Sequence, residues 1–146
     1  SSDLACATES IAHPNFKKAF IRAAARDAVP SVQLDPRFPV IPVRALANQA
    51  TKRFMEAQRD IIARHDRGEL GIKDAQLAIE HFWAGALRRA VIDGDVESGS
   101  LMAGQSVGMV TKEQSTRAIV DELIAQAIDQ IVAREARARR AVPAAG

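Results

Sequence analysis

Apolar residues recur at three- and four-residue intervals in four stretches of the chain. Phe16, Ala19, Phe20, Ala23 and Ala24 form the first stripe. Their spacing predicts a helix over residues 15–28. Pro14 suits its first turn, because it lacks only an N–H that would have no partner there, and Pro30 ends the pattern. Leu46, Ala50, Phe54, Ala57 and Ile61 predict a second helix over residues 44–67, with Gly68 and Gly71 as C-terminal caps. Ile79, Phe82, Trp83, Ala86, Leu87, Ala90 and Val91 predict a third over residues 73–91, broken by Asp93-Gly94-Asp95. The longest stripe is Ile119, Val120, Leu123, Ile124, Ala127, Ile128, Ile131 and Val132, the expected buried side of a last helix. Thr111 with Gln114 forms one candidate capping box for it, and Ser115 is the rival cap. Beyond Ala133, Arg and Ala alternate towards Pro143 and a tail expected to fray.

Between the first two stripes the pattern changes. Val32, Leu34, Phe38, Val40, Ile41 and Val43 are interleaved with Pro30, Pro36, Pro39 and Pro42. Proline cannot donate to a sheet ladder, so this stretch reads as an extended connection or a short edge strand. Its apolar residues are expected to pack against the helices. The fold class read from the pattern is therefore mainly α: four helices plus a Pro-rich extended segment.

Composition narrows the function classes. The chain has 146 residues, 47% hydrophobic and 26% charged, with a net charge of +2. That suits one domain with a real core and argues against a nucleic-acid partner. Arg134, Arg137, Arg139 and Arg140 cluster near the end, where cations favour a helix C-terminus. The single cysteine, Cys6, excludes an internal disulfide framework and fits a reducing cytoplasm. It reads as a small buried apolar residue. No apolar run is long enough to span a membrane, and the first residues lack the pattern of a signal peptide. His13, His65 and His81 are scattered without metal-ligand spacing, so no metal site is expected. Gly104-Gln105-Ser106-Val107-Gly108 only partly matches a nucleophile elbow, and no strand leads into it.

Residues 94–108 are the unusual feature. Four of the chain's eight glycines fall here. Glycine lets the backbone approach a ligand closely. Ser98, Ser100, Ala103 and Ser106 remove bulk, Met102 is an adaptable apolar side chain, and Gln105 offers both a donor and an acceptor. A plain helix-to-helix turn explains Asp93-Gly94-Asp95; it explains residues 102–108 poorly.

Residues 93–105, Asp-Gly-Asp-Val-Glu-Ser-Gly-Ser-Leu-Met-Ala-Gly-Gln, resemble the Gly-Asp-x-x-x-Gly-Ser-x-Met-Ala-Gly-Gln segment of the nitronate monooxygenase and enoyl-acyl-carrier-protein reductase II family. Ala7-Thr8-Glu9-Ser10 with Ala12-His13-Pro14-Asn15-Phe16-Lys17 resembles a second family stretch. Pro42-Val43-Arg44-Ala45-Leu46-Ala47-Asn48 resembles the segment entering its helical subdomain. The resemblance implies an FMN-binding TIM barrel with an added helical segment, of which this chain would be the C-terminal part. Residues 1–14 would end the barrel-like region and residues 15–146 would be the helical C-terminal region. Met102 would line the substrate pocket, and Thr8, Gly104, Gln105 and Ser106 would lie at the cofactor. His13 would enter a helix, not catalyse; the family's catalytic His lies on an upstream loop this chain does not contain.

The implied reaction is oxidation of an alkyl nitronate by O2 through FMN, or enoyl-thioester reduction with NAD(P)H. The implied partners are a small-molecule substrate, the missing barrel segment and a second copy in a homodimer. A full barrel typically needs ~250 residues, and the family's Gly-Thr-Arg-Phe turn before Ala7 is absent. A fragment, a gapped chain and a split protein all fit these departures. From another class, four amphipathic segments would also suit a non-catalytic helical interaction module.

Overall fold

The computed structural model describes residues 2–141, with side chains to residue 138. The tail expected to fray, from Pro143 on, lies outside the described residues, as do the side chains of Arg139 and Arg140. Six helices are described: α1 (Ser2–Ala5), α2 (Pro14–Arg22), α3 (Gln49–Asp66), α4 (Ile72–His81), α5 (Ala86–Val91) and α6 (Thr116–Ala141). Two short 3-10 turns, Ala25–Asp27 and Gln105–Met109, and two strands, β1 (Ala28–Pro30) and β2 (Arg44–Leu46), complete the set. The expectation of four helices is thus corrected in three places, and the choice of cap for the last is decided, each for a local reason.

The first helix stops at Arg22, not at residue 28. The Asp27 carboxylate accepts from the Ala24 N–H at 2.7 Å, closing a tight turn. Ala28 then enters β1, which pairs antiparallel with β2 in the register Ala28–Leu46, Val29–Ala45, Pro30–Arg44. The second helix begins at residue 49 because Asn48 caps it: its Oδ1 accepts from Thr51 N at 3.1 Å, and Thr51 Oγ1 accepts from Asn48 N at 3.0 Å. Residues 44–46, given to that helix by the apolar stripe, form β2 instead. The third helix is two, because Gly85 takes the left-handed conformation, φ 70°, between α4 and α5. The last begins at Thr116. Ser115 is its cap, accepting from Ala118 N at 3.2 Å, and the Thr111 box does not form its start.

Two cores result. The first gathers Cys6, Ala12, Phe16, Phe20, Ala28, Leu46, Ala90, Leu101, Ala103, Val107 and Val110. The Phe16 and Phe20 rings sit 4.4 Å apart on one face of α2. The second core gathers Phe38, Phe54, Ile61, Ala75 and Ile79, with Phe82 and Trp83 packed against it. The Pro-rich segment is the loop between β1 and β2. It folds back on itself, with Ser31 N donating to Val43 O at 2.7 Å. Only part of its apolar set packs inward: Phe38 is buried while Val32, Leu34 and Ile41 are exposed. Gln58 of α3, fully buried, holds the segment by donating to Val32 O at 3.0 Å and accepting from Leu34 N at 3.3 Å.

The stripe of α6 is not buried as expected. Ile119 is in the interior, but Val120, Leu123, Ile124, Ile128, Ile131 and Val132 are exposed. Only the start of this helix is fastened to the body. Glu9 accepts from Thr116 N at 2.9 Å and from Thr116 Oγ1 at 3.2 Å, and Thr8 N donates to Gln114 O at 2.9 Å. A carboxylate held by the amide at a helix start favours its charged form, and the Glu9 carboxyl is drawn down to about 2.

Candidate functional site

Residues 94–108 are built into the molecule from three sides. Asp95 Oδ1 accepts from Ser98 N at 2.9 Å and from Glu97 N at 3.3 Å, a side-chain turn that opens the loop. The backbone N–H of Ser98 holds its carboxyl below the usual range. Gly94 has φ 75°, and a Cβ there would clash with the His13 ring, 2.3 Å from Nδ1. Asn15 Nδ2 donates to Gly94 O at 3.2 Å. Asn48 Nδ2 donates to both Val96 O and Gly99 O at 2.8 Å. One amide thus joins the start of α3 to the middle of the loop.

The next residues pair with β2 through an isolated antiparallel bridge. Leu46 N donates to Leu101 O at 2.9 Å, and Ala103 N donates to Arg44 O at 3.1 Å. Ala45 therefore faces Met102 across an antiparallel bridge. Side chains alternate along a strand. Leu46, Leu101 and Ala103 share the face turned to the first core, with exposed Arg44 at its edge, while Ala45 and Met102 take the other. Gly104 then starts the 3-10 turn Gln105–Met109. Val107 of that turn is fully buried, and Gly108 lies so close to Ala24 and Ala25 that a Cβ would meet backbone at 2.7 Å.

A cavity of about 420 Å³ opens at the edge of this bridge, lined by Ser2, Ala5, Phe16, Phe20, Arg44, Met102, Ala103 and Gly104. That volume lies within the range of small-molecule sites. Of the five residues singled out by sequence, Met102 and Gly104 line it. Gln105 and Ser106 follow directly and are exposed. Thr8 is tied instead to the start of α6, through Gln114 and through Oγ1 donating to Glu9 at 2.9 Å. His13 caps α2, its Nδ1 accepting from Asn15 N at 3.1 Å, which is the helix-entry role expected of it. Sequence reasoning missed Arg44, Phe16, Phe20 and Ala103 as wall residues. The helical stripe had assigned the two Phe side chains to packing alone, and no periodicity marks a three-residue strand.

Cys6 and Lys17 lie beside this site. Lys17 Nζ donates to Ala7 O and to Glu113 Oε1, both at 2.7 Å. Burial pushes the Cys6 thiol up to about 11, against the opposing pull of Lys17. That thiol is a packed side chain and not a nucleophile at neutral pH. Among the described residues no cluster of His, Cys, Asp and Glu could hold a metal ion, and no helix is long and apolar enough to cross a membrane.

The geometry defines a mainly helical fold in which a three-residue ribbon carries a glycine-rich loop over a cavity. That fold is shared with solved proteins. FabK from Thermotoga maritima matches with a TM-score of 0.73 at 23% identity, over 94% of this chain and 38% of that one. A mutant of FabK from the same organism matches with a TM-score of 0.68 at 21% identity, over 94% of this chain and 36% of that one. The chain therefore spans a little over a third of the length of the solved chains it matches. At this identity the likeness establishes the fold. No family model and no curated protein matches the chain.

Proposed function

We propose that this chain is the C-terminal part of an FMN-dependent oxidoreductase and that residues 94–108 form one wall of its flavin pocket. One observation carries the reading: the three segments that resemble the nitronate monooxygenase and enoyl-acyl-carrier-protein reductase II family converge in space. Asn15, Asn48 and β2 come from two of those segments, and all three grip the third. The chain residues also fit such a group. Gly104 has open space on its Cα, with only Ser106 Oγ near, at 3.8 Å. Gln105 and Ser106 beside it offer exposed donors and acceptors, and Met102 borders the cavity. FMN would supply the redox step, and these residues would orient the reacting partner and keep water from it. Thr8 would stand where the barrel-like region of residues 1–14 ends.

Enoyl-thioester reduction, with NAD(P)H as the proposed reductant, is the first reading, supported by the fold shared with FabK. Nitronate oxidation by O2 is the second reading, since the residue pattern 93–105 resembles a segment common to both activities. The barrel-forming remainder of the polypeptide, and a second copy in a homodimer, are the partners this function implies. The test uses the complete protein that carries this chain. Flavin absorbance in the purified protein is expected, with NAD(P)H consumed on an enoyl thioester or O2 consumed on an alkyl nitronate. A colourless protein that takes up no added FMN would refute the proposal and leave a helical interaction module.

A further inference from the structure

We propose that the uncovered apolar face of α6 pairs two copies of this chain, helix against helix and antiparallel, with Ala127 at the centre of the contact. Val120, Leu123, Ile124, Ile128, Ile131 and Val132 lie on that face and are 43–59% exposed. At about 3.6 residues per turn they fall with Ala127 on one half of the helix circumference, and Glu122 and Asp129 fall on the other half. A contiguous apolar face of this length marks a contact surface. The body of the chain does not cover it. Thr116 and Gln114 fasten α6 at its start, and every residue from Val120 to Val132 is exposed. Over two copies the six side chains present roughly 1,200 Å², the small end of specific interfaces.

The face matches its own reverse. Its exposed apolar residues run from Val120 to Val132, so their midpoint is Gln126. A two-fold axis there, perpendicular to α6, sets Ile124 of one copy opposite Ile128 of the other. Val120 falls beside Ile131, and the two Ala127 side chains meet at the centre, where their small size lets the helices approach. The same axis sets Arg117 opposite Glu135, since each lies nine residues from Gln126 and both lie on the same side of the stripe. One Arg–Glu pair thus closes each end of the contact. Arg117 is 87% exposed and already bonded to Asp121 at 3.2 Å, so these end pairs set the register and add little affinity. The axis also runs the two helix dipoles in opposite directions. A parallel pairing would set Arg117 level with Arg117 and lose these matches. Cover by the barrel-forming remainder would account for the apolar face but not for its match to its own reverse.

Sedimentation velocity of the 146-residue chain tests the pairing. A monomer–dimer equilibrium is expected, with the dimer predominating at about 100 μM. Ile124→Glu combined with Ile128→Glu is expected to weaken association at least about tenfold. Both side chains are more than half exposed, so the thermal melt should stay that of the parent. Register is read with single added cysteines, Cys6 being buried. In the proposed dimer the two thiols of the Ala127→Cys variant stand about 3 Å apart along the axis, and those of Val120→Cys about 18 Å apart. Mild oxidation is therefore expected to link Ala127→Cys into a covalent dimer and to leave Val120→Cys unlinked. A chain that stays monomeric at about 100 μM would overturn the pairing and leave the stripe to the barrel-forming remainder. So would association that survives the two glutamates, or Val120→Cys linking as readily as Ala127→Cys. Flavin absorbance plays no part in this outcome, so it stands or falls apart from the proposed cofactor.

Discussion

Replacing Gly99 by alanine is the sharpest probe of how tightly the loop is held. A Cβ at residue 99 would stand 2.6 Å from the Ala90 Cβ and the Ala90 backbone N, and 2.7 Å from Asp95 O. Ala90 is fully buried in α5, and Asp95 O is already bonded to Gly99 N at 3.0 Å. Neither neighbour is the free end of a flexible side chain, so the loop must move away from the helix. Overpacking of this kind costs about 1–3 kcal/mol. The displacement also pulls Gly99 O from Asn48 Nδ2, which places the expected loss at about 3 kcal/mol. Gly104→Ala is the control. Its φ is −79°, and the nearest atom to an added Cβ is Ser106 Oγ at 3.8 Å. Restricting the unfolded chain then stabilises by about 0.4–1 kcal/mol. Urea unfolding of the two variants and the parent reads both effects as shifts of the midpoint at constant slope. Equal midpoints for Gly99→Ala and Gly104→Ala would refute the reasoning, because it rests on contact and not on the loss of glycine.

Gln58→Leu should cost about 2–3 kcal/mol by leaving Val32 O and Leu34 N without their partner; thermal melts that match the parent would show that the Pro-rich segment is held elsewhere. Lys17→Met should cost about 1–3 kcal/mol, since Ala7 O and Glu113 lose a donor held at the interior, and the loss is read by chemical denaturation. The Glu9 carboxyl is lower in the folded chain than its ordinary value of 4.5, at about 2. Its contribution is therefore fully present above about pH 4.5 and is lost as pH falls towards 2. The stability gap between the parent and Glu9→Gln should close over that window, and a gap constant with pH would contradict the assignment. Cys6, raised to about 11, should react with a disulfide reagent at pH 8 only as fast as the chain opens. Labelling in the native state at the rate of a free thiol would place it on the surface.

The strongest sequence signals carried over as segments and failed at their ends. The stripe through Phe16 and Phe20 gave α2 its buried face, because a long-range core and a local period agreed there. The stripe through residues 44–46 misled. Leu46 is apolar in both readings, and the choice between helix and strand depends on β1, which lies 16 residues away, and on the Asn48 cap. The break at Gly85 was hidden because Phe82, Trp83, Ala86 and Ala90 keep a helical spacing across it. The α6 stripe misled in the other direction: its period is real, but its face meets nothing in the described chain beyond Ile119. Of the site, the glycine-rich loop was legible from composition. The cavity was not, because its walls are assembled from α1, α2 and two strands of three residues or fewer in register.

The turn at residues 82–85 divides the labour of one apolar stripe. Phe82 and Trp83 pack beside Phe54, with ring centroids 5.1 and 5.2 Å away. Ala86 and Ala90, just past Gly85, are fully buried, and Ala90 belongs to the first core. Two neighbouring helices thus answer to different interiors. In amide-exchange terms, α5 should keep the protection of the loop it supports while α4 keeps that of α3, with the step between the two rates falling at Gly85. A pattern that reads as a single helix along the chain is thus expected to be, in time, the seam between two units that open separately.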